Sequence, residues 1–360
     1  MSKPTTSSPT SIISGLLIVF CLLFSPGYAA AKDNKFRIAW SIYVGWMPWD
    51  YGDKSGIVKK WADKYGIEID IVQVNDYVES INQYTTGGFD GCVMTNMDAL
   101  TIPAAGGVDS TALIVGDFSN GNDGIILKGH DKLEAIKGQK VNLVELSVSH
   151  YLLVRALDTI GSRERDLKVV NTSDADLVSA FASADVTAVV TWNPLLSEIL
   201  KTPDAHKVFD SSKIPGEIID LLVVNTKTLE QNPNLGKALV GAWYEIMTVM
   251  AKEDAQGHSA KGAMATAAGT DLAGFESQLN TTRMFYQAGD ALDFSLSNNL
   301  IKTMERVAEF SFEHGLLGES AAHAGYVGIS YPNEKVSGDT SNIKLRFNSD
   351  YTRLAAEKAL

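Results

Sequence analysis

Two tryptophans, Trp46 and Trp49, stand in "YVGWMPWDY" among Gly45, Pro48 and Asp50, directly after the alternating apolar run "IAWSI". An indole is costly to leave in water and makes a flat wall for a small ligand, so tryptophans in a loop-like setting are candidates for a binding surface. A third, Trp192, sits in "TWNP" after another apolar run. Other polar residues at the ends of strand-like runs are Asn96 and Asp98 in "TNMDAL", Glu145, Ser147 and His150 in "ELSVSHYLL", Asn193 beside Trp192, and Asp220 in "IIDLLVVN". None of these run ends contains lysine or arginine. Aromatic faces and carboxylates without a basic neighbour suit a small cation. Helix N-termini at "SVSHY" and "NPLL" could instead hold an anion through backbone N–H groups alone.

Each of these residues also has a purely structural use. Asp98 could cap a helix in "MDALTIPAAG", and Asn193 could cap one with Pro194 at its first position. Glu145 could be a solvated strand-end charge and His150 a packing or capping residue. Trp61 and Trp243 fall inside amphipathic patterns and belong to the core. The sequence holds no Gly-x-Ser-x-Gly elbow, no His-Glu-x-x-His, no Walker loop and no cysteine pair for zinc, and its six histidines show no metal-ligand spacing. No cofactor or metal is expected.

The elements that must position these residues follow from periodicity. From Phe36 to Phe209 short apolar runs alternate with amphipathic ones, which predicts an α/β chain. Predicted strands are "FRIAWS", "IEIDIVQV", "FDGCVMT", "STALIVGDF", "DGIILK", "KVNLVEL", "LKVVNT" and "VTAVVTW", with a further one opened by Pro215 and Gly216 in "KIPGEIIDLLVVN". From Asn232 onward long helical patterns take over. Two segments, "DFSNGNDGIIL" and "KIPGEIIDLLVVN", read as crossings between lobes. They divide the chain into lobe one (residues 34–119 plus 218–330), lobe two (120–217) and a C-terminal tail (331–360) packing on a lobe, its end "YTRLAAEKAL" reading as a helix. Two lobes joined by two crossings can hinge and close on a solute.

The first 31 residues read as an export signal: Lys3, the apolar run "IISGLLIVFCLLF" and the small-residue end "SPGYAAA". Without that segment one cysteine remains, Cys92, so no disulfide framework supports the fold. The formal charge of -12 makes nucleic acid an unsuitable partner.

An exported α/β chain with "IAWSIYVGWMPW" after its first strand, "FDGCVMTNMDAL" as a strand and loop, "SVSHYLL" opening a helix and "TWNP" after a strand resembles the periplasmic solute-binding proteins of nitrate-, sulfonate- and taurine-type ABC importers. Within that group "VQVNDYVESINQYTTGGFDGCVMTNMDAL" and "DFSNGNDGII" look like the branch associated with urea carboxylase. The resemblance implies a two-lobed type II periplasmic-binding-protein fold and a monomeric, non-enzymatic receptor in the periplasm. It also implies an ABC permease in the inner membrane as partner and urea or guanidine as cargo. The acidic, aromatic run ends favour guanidinium over urea. Alternatives are an anion receptor of the same fold, an enzyme related to pyrimidine-precursor synthases using His150 or Cys92, and a sensory receptor.

Overall fold

The computed structural model describes residues 34–360; the expected export signal lies outside them. The chain starts with β1 (Lys35–Trp40), β2 (Glu68–Gln73), β3 (Gly91–Thr95) and β4 (Ser110–Ser119). It continues through β5 (Asp123–Lys128), β6 (Lys140–Leu143), β7 (Lys168–Asn171), β8 (Ala188–Trp192) and β9 (Ala205–Asp210). Last come β10 (Ile219–Asn225), β11 (Thr282–Met284), β12 (Gly328–Tyr331), β13 (Lys335–Ser337) and β14 (Ile343–Phe347).

These strands form two sheets with helices packed around them, an α/β architecture. The larger runs β13-β12-β14-β4-β10-β3-β1-β2, with β11 on β4, and the smaller runs β7-β6-β8-β5-β9. The chain therefore leaves the large sheet after Ser119, builds the small sheet, and returns at Ile219. The strands buried on both faces read as the continuous apolar runs that identified them: β3, β8 and nearly all of β10 are buried along their length.

The two crossings are tied together. Ser119 and Ser211 share a hydroxyl hydrogen bond of 2.6 Å, and the Gly121 N–H donates to the Ser211 hydroxyl at 2.7 Å. Glu217, buried in the return crossing, accepts both a two-pronged hydrogen bond from Arg155 (2.9 and 3.1 Å) and the Tyr151 hydroxyl. Burial alone would raise the Glu217 carboxyl; its bonds to Arg155 and Tyr151 outweigh that and hold it below the usual range.

The second half differs from the helical finish predicted from sequence. Helices Pro233–Met250 and Asn298–Glu313 are present, but β12, β13 and β14 follow them, and β14 pairs in parallel with β4 at the heart of the large sheet. Their brevity, with Lys335, Lys344 and Arg346 interrupting the apolar positions, hides them from a periodicity count. Strand β9, "AHKVFD", was also not among the predicted strands; only Phe209 of its six residues is buried. Among the described residues no helix is long and apolar enough to cross a membrane.

Candidate functional site

The large sheet delivers one polar rung to its edge. On β10, Asp220 stands opposite Thr95 of β3 on one side and Asp117 of β4 on the other. Cross-strand partners project to the same face, so this register gathers two carboxyls and a hydroxyl in one row. On the small sheet Asp123, the first residue of β5, stands opposite Trp192, the last of β8. Asp123 and Trp192 reach the same cavity as Asp220 and Thr95, together with Tyr43, Trp46, Tyr77, Val148 and Ile218.

Local sequence places the rings. After β1 the chain turns so that the N–H groups of Trp46 and Met47 donate to the Tyr43 carbonyl at 2.9 and 3.1 Å, and Pro48 opens the helix Met47–Lys54. Gly45 makes this turn possible: a Cβ there would lie 2.5 Å from both the Tyr43 ring and the Asp117 carboxylate. Tyr77 is the first residue of the helix Tyr77–Thr85, whose cap Asp76 accepts from the Glu79 N–H at 2.8 Å. The rings then form a chain: Tyr43 to Trp46 at 4.9 Å, Trp46 to Tyr77 at 5.6 Å, Tyr77 to Trp192 at 5.9 Å. Those separations and tilts suit edge and offset contacts between π-systems.

Four buried aspartates surround this space. Asp123 accepts from the Ser119 hydroxyl, Asp117 from the Tyr43 hydroxyl at 2.9 Å, and Asp98 from the hydroxyls of Tyr77 and Thr95. Asp98 does not line the cavity; it stands behind Tyr77 and fixes that ring. Burial pushes Asp98 up to about 6 against the lowering effect of its two hydroxyl partners. It pushes Asp117 and Asp123 up to about 7. Asp220 lies well above the usual carboxylate range, first through burial and then through the adjacent charge of Asp117. Asp117 stands opposite Asp220 across β4 and β10, and its charge adds to the rise of the Asp220 carboxyl. Among the described residues, no lysine or arginine lines the cavity.

The cavity is small. About 20 Å³ is open to the centre of a water-sized sphere, within about 300 Å³ of space not filled by atoms. That is room for little more than one water as the walls stand.

Of the residues singled out from sequence, the structure brings Trp46, Trp192 and Asp220 to this cavity and holds Asp98 behind it. It places the others elsewhere. Trp49 lies inside a helix rather than a loop, 1% exposed and 5.2 Å from Trp243, as core packing. Asn96 braces the return crossing, its side-chain amide donating to the Glu217 carbonyl at 3.1 Å and its oxygen accepting the Ile219 N–H at 3.0 Å. Glu145 is exposed beyond the end of β6. Ser147 caps the helix Val148–Thr159, accepting from the Ser149 N–H. His150 points to Glu164, 3.1 Å away. Asn193 accepts from Ser197 at the start of the helix Leu195–Ile199. Thr95, not Asp98, caps the helix Asn96–Ala99. The sequence reading missed Tyr43, Tyr77, Thr95, Asp117, Asp123, Val148 and Ile218. The signal for two of them was present, since Asp117 and Asp123 bracket the first crossing.

Comparison with known proteins places residues 41–264 in a match to the NMT1-like family. A protein of Brucella abortus named as a binding protein is 26% identical over 186 residues, 51% of this chain and 56% of its own length. The taurine-binding periplasmic protein of Escherichia coli is 23% identical over 129 residues, 35% of this chain and 40% of that protein. The chain thus spans about half the length of the curated relatives it matches. Among solved structures, the alkanesulfonate-binding protein of Xanthomonas axonopodis bound to MOPS superposes with a TM-score of 0.65 at 17% identity, covering 81% of this chain and 96% of that one. The periplasmic nitrate-binding protein of Synechocystis gives a TM-score of 0.66 at 13% identity, covering 91% and 89%. The fold is that of the periplasmic binding proteins.

Proposed function

We propose that this chain, which belongs to the NMT1-like family, is an extracytoplasmic receptor that closes on a small planar nitrogen-rich cation and hands it to an ABC permease, with guanidinium as the first candidate and urea as the second. The observation that carries this is the wall of the cavity: four aromatic rings, Asp123 and Asp220 in contact with the space, Asp117 paired with Asp220, and no basic side chain. Guanidinium has only donors and one delocalised charge, so it needs acceptors at its edge and a π-face against its plane. Asp123 comes from the small sheet and Asp220 from the large one, so a bidentate solute between them would join the two sheets in the closed form. The cavity as it stands holds little more than one water, so even a four-heavy-atom solute enters only as the walls part.

Urea is favoured by one feature. Trp46 Nε1 is buried without a protein acceptor, and a urea carbonyl would accept from such a donor. Guanidinium offers no acceptor. The test is a calorimetric screen of the purified chain with guanidinium, urea, taurine and nitrate at pH 8. Guanidinium binding tightest supports the proposal, urea binding tightest moves the assignment to the neutral amide, and binding of taurine or nitrate alone overturns it.

A further inference from the structure

A second cluster, outside the lining of the aromatic cavity, has the composition of a metal centre. His150 Nε2 and His314 Nε2 lie 3.1 and 3.0 Å from Glu164 Oε2, and the three ligand atoms lie within 4.8 Å of one another. The histidines come from different parts of the fold. His150 is on the helix Val148–Thr159, which packs on β5 and β8 of the small sheet. His314 follows the helix Asn298–Glu313, which packs on the helix Asn96–Ala99 at the end of β3. Glu164 sits in the single turn Glu164–Asp166 between them.

We propose that His150, Glu164 and His314 form a site for a divalent transition-metal ion of the zinc type, linking helices from the two sheets. Two histidine nitrogens and a carboxylate are a sufficient protein set for zinc, which takes His N at about 2.0–2.1 Å and carboxylate O at about 2.0–2.2 Å. A tetrahedron of those bond lengths has edges of about 3.3 Å, close to the two separations to Glu164. His150 is 1% exposed and its Nε2 faces Glu164 Oε2 at 3.1 Å without a hydrogen bond of good geometry, a contact that an ion between the two would complete. His314 Nδ1 lies 2.9 Å from the Phe310 carbonyl. Donating that N–H leaves the Nε2 lone pair facing Glu164, an arrangement metal-bound histidines commonly show. Glu164 and His314 are 36% and 20% exposed and border an open groove of about 440 Å³, which gives an entry path and room for a water as fourth ligand.

One local change must accompany binding. His150 Nδ1 now faces the Leu146 N–H at 3.2 Å. An ion on Nε2 moves the ring proton to Nδ1, so that peptide must turn away. Leu146 is 43% exposed with a φ of 65°, which leaves it free on its outer side.

The untagged chain, stripped with chelator, is titrated with Co²⁺ and read by visible absorption, followed by Zn²⁺ displacement. One equivalent with the intense bands of a four-coordinate ion is expected, together with a Zn²⁺-dependent rise in melting temperature. Glu164→Gln and His314→Ala, both at partly exposed positions, should retain the fold by circular dichroism. Each should lose more than the 10–100-fold in affinity typical of an outer-shell partner. Absence of the Co²⁺ spectrum in the parent chain overturns the site, as does unchanged binding in both variants. Neither readout depends on which solute fills the aromatic cavity.

Discussion

Asp123→Asn separates a cation receptor from every other use of this cavity, because the substitution should act in opposite directions on binding and on stability. The asparagine keeps the shape and can still accept the Ser119 hydroxyl, so the local bonding survives. What it loses is the charge. For bound guanidinium, removing one partner of a buried ion pair costs about 3–5 kcal/mol, or about 150- to 5000-fold in affinity. Urea would lose about one hydrogen bond, 0.5–1.5 kcal/mol, or about 2- to 12-fold. For the empty protein the sign reverses. Burial holds Asp123 at about 7, against an ordinary aspartate near 4. A carboxyl raised on folding contributes stability that is complete below pH 4 and is lost as the pH rises to about 7. Above that pH the deficit is about 4 kcal/mol, and the asparagine removes it. At pH 8 the variant should therefore melt higher than the parent chain without ligand and bind guanidinium far more weakly by calorimetry. If it loses guanidinium and urea equally, or melts lower when empty, the carboxylate is structural and the reasoning fails.

Trp192→Leu keeps apolar bulk but removes a ring face, and should weaken guanidinium by about 1–2 kcal/mol in the same titration with little change in melting. Trp49→Phe should do the reverse, lowering stability in a denaturant melt by about 1–3 kcal/mol with affinity unchanged, since Trp49 packs on Trp243. Arg155→Met strands the buried Glu217 and should destabilise by about 3 kcal/mol, at the low end for a broken pair because Tyr151 and Arg306 still face that carboxylate. Guanidinium affinity should fall as pH drops through about 7, where Asp117 and Asp123 take up protons, and approach tenfold per pH unit when one proton must leave on binding.

The strands were legible where both of their faces are buried. β3, β5 and β8 appear as unbroken apolar runs, and "STALIVGDF" marks β4 almost to its end. Legibility failed for β9, where only Phe209 is buried, and for β11 to β14, which run three to five residues each, so that alternation has too few covered positions to register. At the site, Trp192 and Asp220 could be found because they end or open a strand. Tyr77 could not, because it opens a helix whose pattern explains it as an ordinary buried position. Trp49 misled for the converse reason: Gly45, Pro48 and Asp50 look like loop residues, yet proline at a helix start and an acid in its first turn are also how a helix begins. His150 was picked for the wrong neighbourhood, since no local pattern brings Glu164 and His314 to it.

Sharing a fold with proteins named for sulfonate, taurine and nitrate does not carry the sign of the ligand's charge, because the scaffold sets only where strand ends meet. The sign is set by what stands at those ends. An anion seated in this cavity would face Asp123 and Asp220. At about 4 Å and an effective dielectric of 20, each ionised carboxylate would repel it by about 4 kcal/mol. It could enter only with those carboxyls protonated, so its affinity would rise as pH falls. A cation makes the opposite demand, since binding must expel the protons that burial holds on Asp117, Asp123 and Asp220. A neutral amide accepts either state and shows a shallow profile. The slope of affinity against pH between 6 and 8 thus reports the ligand's charge without a bound structure, and for this set of side chains the slope should be positive.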